Sequence, residues 1–522
     1  MSDGRVLAQD DQDAPAAAPG AVSRTIARHG ATYLAATALQ AVCAALALPL
    51  AAHFVSPKQY GIASLVLIIS LLFNVLAMAG LPMAALRLYF DERFGPRFAR
   101  QLYAPATALA LTVSLAAFLV LVGLNAVAPL GHYWPALLAV PLLTWPTFVG
   151  TLSSNLLQAE KRSTAFAVVA VMRGGVNTGA GVLAVIAFGH SASAYLAGYV
   201  AGTFAIAATG VCLTRPVPGF PARADLHQAL KLGLPSVPAA AGVFMLAMAD
   251  RFPVQAFGSA ADVGRYQLAY AVGSLVFTVL IAINFAWLPQ VLSAPTAEQR
   301  TAIIRQVGEI LQGLAMVAVA GVALLGPIIL PLVLSAQYHP LALARVADVV
   351  ALGALAYVPY MAGGQVLFAT TKTRPMSWIT PTAVVVELAA GVALVPLLGL
   401  VGAAIASTVA YACQAGLTLR VAARFDSLRW LSSAWLVASL PGAAGWACGF
   451  LLPTGALGNG LRIALVALLL GRWTRTGLST LRRRDPVSHP RNNRNTAPGL
   501  RSIWGWTLRA QQGTESAGRD TR

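Results

Sequence analysis

Charge is what this sequence has least of. Asp, Glu, Lys and Arg together make up 10% of 522 residues, against 57% hydrophobic residues. Soluble domains carry roughly 25% of these four residues, so a soluble chain of this length could not cover its surface. Acidic residues are scarcer still, 18 against 36 Lys and Arg. Cysteine is nearly absent. Cys43, Cys212, Cys413 and Cys448 sit in four separate apolar stretches, without metal-ligand spacing or an obvious disulfide pair, and read as small packing residues. The chain has no Gly-rich loop ending in Lys-Ser/Thr, which excludes a built-in phosphate cradle for ATP. Its histidines lack metal spacing. Its loops are too short to form a catalytic domain, so the sequence does not read as an enzyme, and a polysaccharide polymerase or ligase would need a sizeable outer loop.

Long apolar runs are there instead. About twenty apolar residues cross the roughly 30 Å of a bilayer's hydrocarbon at 1.5 Å per residue. Such runs predict fourteen spans, at 30–54, 60–82, 101–125, 135–157, 165–188, 193–213, 231–252, 263–289, 303–330, 343–368, 376–396, 398–420, 430–452 and 457–475. The class is an all-α polytopic membrane protein. Alternating ten-residue strands, the mark of a membrane β-barrel, are missing.

The net charge of +18 would suggest nucleic acid in a soluble protein. Here its placement explains it. Alternate loops are basic: Arg87, Arg93, Arg97 and Arg100; Lys161 and Arg162; Arg215, Arg223 and Lys231; Arg300 and Arg305; Lys372 and Arg374; Arg420, Arg424 and Arg429. The intervening loops hold only Lys58, Arg251, Arg265, Arg345 and Arg462. This asymmetry places the basic loops and both termini in the cytosol, with no nucleic-acid partner required. Residues 1–29 read as a disordered cytosolic leader and 476–522 as a basic disordered cytosolic tail, whose Trp504 and Trp506 suit either solvent or an anionic leaflet.

The chain also repeats itself. "SPKQYG" at 56–61 and "SAADVG" at 259–264 each precede an inward-running span that ends near proline, in "AGLP" at 79–82 and "FAWLP" at 285–289. "LQAEKRSTAF" at 157–166 is echoed by "LFATTKTRPM" at 367–376. Two pseudo-symmetric six-helix bundles, 30–213 and 231–420, would therefore surround a central cavity. A cytosolic connector at 214–230 would join them, and 421–475 would add two further helices. Parallel repeats about a central cleft are a transporter architecture.

These stretches, with "AGLPMAALRLYFDE" at 79–92, "ADRFPVQAFGSAADVGRYQLAYAVGSL" at 249–275 and "TTKTR" at 370–374 before "VPLLGLVGAAIASTVAY" at 395–411, resemble the O-antigen and polysaccharide flippases of the multidrug/oligosaccharidyl-lipid/polysaccharide exporter superfamily. The resemblance runs in order over residues 25–475. It implies a flippase of the bacterial inner membrane carrying an undecaprenyl-diphosphate-linked oligosaccharide from inner to outer leaflet, among membrane lipids and beside a polysaccharide polymerase and chain-length regulator. A multidrug or cation antiporter of the same superfamily is the alternative. Members often carry Asn in the helix after the "TKTR" turn, where this chain has Glu387, so proton or sodium coupling does not transfer with the resemblance. No other cofactor is implied.

Charges at mid-membrane cost several kcal/mol without a partner or a wet cavity, so each is a candidate. Glu387, in "TAVVVELAAGV", is a coupling acid or an acid bonding a neighbouring helix. Arg173, in "VVAVMRGGVN", lies roughly 12–15 Å from the cytosolic end of span five. It would grip a diphosphate bidentately or pair internally, Glu387 being the expected partner across the cleft. Asp250 and Arg251 read as an ion pair, a gate, or a cavity acid and a diphosphate contact. Arg87 reads as a cytosolic anchor or a first contact for the diphosphate. Arg345 and Asp348 are expected at the outer interface. Asn74, Asn155, Asn177 and Asn284 are expected to be interhelical hydrogen-bond partners.

Overall fold

The computed structural model describes residues 35–483, apart from positions 38, 41, 45, 46, 48, 49, 128–130, 373, 426–430 and 454. The leader, most of the tail and much of the first expected span lie outside the described residues. Among them every regular element is helical. Spans two to six are carried by Pro57–Met78, Gly95–Val127, Trp134–Ala159, Ser163–Phe188 and Ala192–Thr214. Spans nine and ten are Ala297–Val333 and Pro340–Ala369, and span thirteen is Ser433–Leu451. The last helix, expected to be short, runs Ala456–Arg483.

Several spans depart from a straight, separate helix. Span seven is broken: Val237–Leu246 and Arg251–Phe257 are separated by turns at 247–250. Span eight bends by 42° between Ala260–Gly273 and the helix that starts at Leu275. Spans eleven and twelve form one helical hairpin over Met376–Ala422, reversing at Gly399, whose φ of 58° and ψ of −135° lie in a region open to glycine. Gln414 donates to Thr380 at 3.1 Å and Ser407 lies 2.9 Å from Glu387. These partners step apart on both sides of the turn, as two antiparallel helices require.

The repeated motif is a pair of helix starts. Ser56 accepts the Gln59 N–H, with Pro57 in the first turn. Ser259 and Asp262 form a capping box: the serine hydroxyl accepts the Asp262 N–H at 3.3 Å, and the aspartate accepts the Ser259 N–H at 3.1 Å. The two starts then meet. A Cβ on Gly61 would collide with the Ala260 carbonyl and lie 2.9 Å from the Gly264 nitrogen, and one on Gly264 would collide with the Pro57 carbonyl and lie 2.9 Å from the Gly61 nitrogen. That reciprocity is what a two-fold axis between spans two and eight demands. Neither helix could approach so closely with a side chain at these positions.

The cores follow the same division. One apolar core joins the expected outer ends of both halves, from 51–66 through 254–270 to 330–350. Deeper toward the expected cytosolic side, the cores separate. One holds Leu81, Phe98, Phe148 and Leu156, and another holds Trp287, Val358, Ile379 and Tyr411. The outer seam is tied further by Tyr338, whose hydroxyl donates to the Val55 carbonyl at 2.7 Å, and by Ser335, which donates to the Ala52 carbonyl at 3.2 Å.

Span thirteen docks on spans nine and ten. Trp435 fills the space over Gly308, and Gly442 lies against Met316. The Trp446 indole N–H lies 2.9 and 3.0 Å from the two carboxylate oxygens of Asp348. Asp348, expected at the outer interface, is buried within the protein, where an indole from the appended pair satisfies it. Arg462 likewise is no loop charge. It is 2% exposed and donates to the carbonyls of Ala323, Leu324, Gly449 and Leu452 at 2.6–3.3 Å. One guanidinium thereby gives hydrogen-bond partners to carbonyls on spans nine and thirteen, groups that lipid could not satisfy.

Candidate functional site

The break in span seven leaves the Ala247 carbonyl without a full helical partner, and it sets Asp250 and Arg251 side by side inside the C-terminal half. Arg251 spends its guanidinium locally. Nη1 donates to the Ala247 carbonyl at 2.6 Å and to Asp250 Oδ1 at 2.5 Å, and Nε donates to Gln267 at 3.1 Å. The guanidinium carbon lies 4.0 Å from the ring centre of Tyr270 and 5.4 Å from that of Tyr266. A cation over an aromatic face gains from the ring quadrupole most where water is excluded. Water is excluded here: Arg251 is 0% and Asp250 1% exposed.

Asp250 Oδ2 takes two further donors. The Tyr266 hydroxyl donates to it at 2.6 Å, and Ser407 lies 2.8 Å away. The same Ser407 oxygen lies 2.9 Å from Glu387 Oε1. Glu387 is wholly buried, and its Oε2 has no hydrogen-bond partner among the described residues. Spans seven, eight, eleven and twelve thus converge on one cluster of two acids, one guanidinium and a bridging hydroxyl. An aromatic series continues from it, Tyr270 to Tyr411 with hydroxyls 3.4 Å apart, then Phe277 and Tyr357. Among the described residues no group of His, Cys, Asp or Glu is arranged to hold a metal ion.

Arg173 lies elsewhere. It is half-buried in the N-terminal half, where its guanidinium donates to Ser154 at 3.2 Å and borders Gly150. Among the described residues no carboxylate pairs with it. The expected pairing of Arg173 with Glu387 is not formed, because each side chain turns into its own half. Arg251, expected among the contacts for a diphosphate, commits Nη1 and Nε to Asp250, Ala247 and Gln267, while its Nη2 has no hydrogen-bond partner among the described residues; its burial keeps a headgroup away in this conformation. Arg87 is exposed at the end of helix Leu81–Leu88, on the expected cytosolic side. Asn284 accepts from Gln365 at 2.9 Å, joining spans eight and ten as expected, whereas Asn74 donates to Ser70 within its own helix at 2.8 Å.

Sequence reasoning finds the charges and misses their partners. Tyr266 and Tyr270, four apart in "GRYQLAY", lie on one helical face, a signal that could have marked them as a platform for Arg251. Nothing in "AAIASTVAY" separates Ser407 from the small residues around it.

No family model matches this chain, and no curated protein matches it. Solved structures do. A structure described as the lipid II flippase MurJ in an inward closed conformation superposes with a TM-score of 0.69, covering 86% of this chain and 99% of that one at 13% identity. An inward-facing multidrug resistance MATE family transporter of the MOP superfamily gives 0.56, over 81% and 96% at 14% identity. A structure of the MATE multidrug transporter DinF-BH gives 0.53, over 80% and 98% at 15% identity. The chain shares the fold of these solved structures. At such identities the likeness is one of fold, and it accounts for the helical bundle as one architecture rather than a chance arrangement of spans.

Proposed function

We propose that this protein is a flippase of the bacterial inner membrane. It moves an undecaprenyl-diphosphate-linked oligosaccharide repeat unit to the outer leaflet for surface polysaccharide assembly, by alternating access. The observation that carries the reading is Arg173. A guanidinium well inside the membrane costs several kcal/mol unless something compensates it. Among the described residues Arg173 finds only a serine hydroxyl as a hydrogen-bond partner, which leaves its forked donors free for an anion such as a lipid diphosphate. The MurJ-like fold supports a lipid-linked cargo. Arg87 would meet the diphosphate at the cytosolic mouth, and Asp250 with Glu387 would supply the coupling acids. The functional units would be 30–213 and 231–420, rocking about the seam of Gly61 and Gly264, with 214–230 as connector and 421–475 appended. A polymerase and a chain-length regulator would act on the product. The second reading, a multidrug or cation antiporter, is favoured by the buried acid pair and by the MATE likeness.

Deleting the gene is expected to stall one surface polysaccharide and to accumulate its lipid-linked repeat unit on the cytosolic leaflet. Normal polymer with lowered drug resistance would favour the antiporter instead. In reconstituted vesicles, Arg173→Ala is expected to abolish lipid transfer while the protein still inserts. Arg173→Lys should recover only part of it, since an ammonium cannot hold two phosphate oxygens in a fixed fork. Wild-type transfer by Arg173→Ala would end the diphosphate role.

Orientation has its own test. Fusions placed after Arg484 are expected to fluoresce as a cytosolic reporter and to lack alkaline phosphatase activity. An active phosphatase there would remove span fourteen from the topology.

A further inference from the structure

The hydrogen count around Ser407 does not close with both acids ionised. Its hydroxyl has one hydrogen and lies within bonding distance of two carboxyl oxygens, 2.8 Å from Asp250 Oδ2 and 2.9 Å from Glu387 Oε1. One contact can be the serine donating. The other is a hydrogen bond only if the carboxyl on that side donates to the serine oxygen, so the two contacts together require one further proton. The partners decide where it rests. Asp250 faces Arg251 on Oδ1 and takes the Tyr266 hydroxyl on Oδ2, donors that suit a carboxylate. Glu387 has no cationic partner of its own and one oxygen with no partner at all among the described residues.

We propose that Asp250, Ser407 and Glu387 form a single one-proton site, in which Ser407 bridges the two acids and Arg251 keeps metal cations out. The proton sits on Glu387, which donates to Ser407, which donates to Asp250. Transfer to Asp250 breaks the O–H bonds of Glu387 and Ser407, forms new ones on Ser407 and Asp250, and so reverses both hydrogen bonds. The inference rests on the reading of these acids as the coupling group and deepens it by naming the ion.

A sodium ion fits poorly, because hard cations take several oxygen ligands. Asp250 has given both of its oxygens to other donors, and a second positive charge would stand beside a buried guanidinium. Among the described residues, Tyr60 of span two also feels the charge of Arg251, and the other titratable groups at the cluster come from the C-terminal half. Span seven brings Asp250 and Arg251, span eight Tyr266 and Tyr270, span eleven Glu387 and span twelve Tyr411 beside Ser407. Loss of the proton leaves two carboxylates competing for one serine hydrogen, so one of the two contacts breaks. Ser407 and Glu387 both belong to the Met376–Ala422 hairpin, so it is the turn of the serine hydrogen from Asp250 to the deprotonated Glu387 that would release the hairpin from the break in span seven. Gly391 packs against Pro253 just beyond it, where the two elements would begin to part.

The test needs no lipid-linked substrate, so its failure is distinct from failure of the flippase reading. The full chain in bilayers is followed by infrared difference spectroscopy of protonated carboxyl groups across a pH titration, with Asp348→Asn used to assign the other buried acid. One protonated-carboxyl band is expected to be lost in Glu387→Gln. It should shift to the frequency of a more weakly bonded acid in Ser407→Ala and return to its original place in Ser407→Thr, which restores the hydroxyl. Exchanging sodium for choline is expected to leave it unmoved. A band indifferent to Glu387→Gln, or one displaced by sodium, would overturn the proposal. So would a Ser407→Thr protein that behaves like Ser407→Ala.

Discussion

Arg251→Ala is expected to destabilise the protein by about 3–5 kcal/mol, the range for removing one partner of a buried ion pair. Asp250 would keep the Tyr266 and Ser407 hydroxyls but lose the guanidinium at 2.5 Å that neutralises it. The faces of Tyr270 and Tyr266 would lose their cation, and the Ala247 carbonyl and Gln267 would each lose a donor. Several groups lean on this one side chain, so the damage should spread through the C-terminal half. Thermal unfolding in detergent, read by the loss of a monodisperse chromatographic peak, measures it. The double replacement Asp250→Leu with Arg251→Met separates charge from packing. It should recover much of the lost stability, since exchanging both partners leaves no orphan charge. If Arg251→Ala unfolds at the wild-type temperature, the cluster is not what holds the broken helix.

The second large effect is expected at the seam where the two echoes meet. Gly264→Val puts a branched side chain where a Cβ alone would collide with the Pro57 carbonyl and crowd the Gly61 nitrogen at 2.9 Å. The obstacle is backbone on both sides, so no rotamer relieves it. Overpacking of this kind costs about 1–3 kcal/mol, which would move the balance between a closed and an open outer seam about 5- to 150-fold toward open. Ala260, 5% exposed beside the seam, reports on it. In a background lacking the four native cysteines, a cysteine at Ala260 should react slowly with an impermeant thiol reagent added outside, and much faster once Gly264→Val is introduced. Gly61→Val should do the same, because the contact is reciprocal. Equal labelling in all three backgrounds would show that the seam does not control access. A variant that transports at the wild-type rate would remove it from the transport cycle.

Part of this architecture is legible in the residues alone. Among the described residues the long helices fall where twenty-residue apolar runs predict them, and "SPKQYG" and "SAADVG" are matching helix starts. Asp250 and Arg251 stand out as adjacent charges, and the ion pair is one of the readings their adjacency allows. The pairing expected between Arg173 and Glu387 does not form. Equivalent depth on equivalent helices fixes the height of a side chain, not the direction in which it points. Asp348 and Arg462 read as nearer the surface than they are, because their partners are an indole and four carbonyls. Those partners lie ten or more residues away in the chain, and three of the five about a hundred or more.

The sequence by itself determined the solvent, the places of the long apolar helices and the two helix starts that face one another. These rest on quantities that each segment carries alone: the apolar length needed to cross hydrocarbon, and the capping chemistry of Ser, Pro and Asp. Only the tertiary structure decided which charges answer which. That choice turns on the rotation of each helix about its axis, on the break that sets Asp250 at the end of a half-helix, and on a hairpin that brings Ser407 back across twenty residues to Glu387. A modest rotation would send the same carboxyl into lipid or onto a serine, and no local property of the chain records the difference.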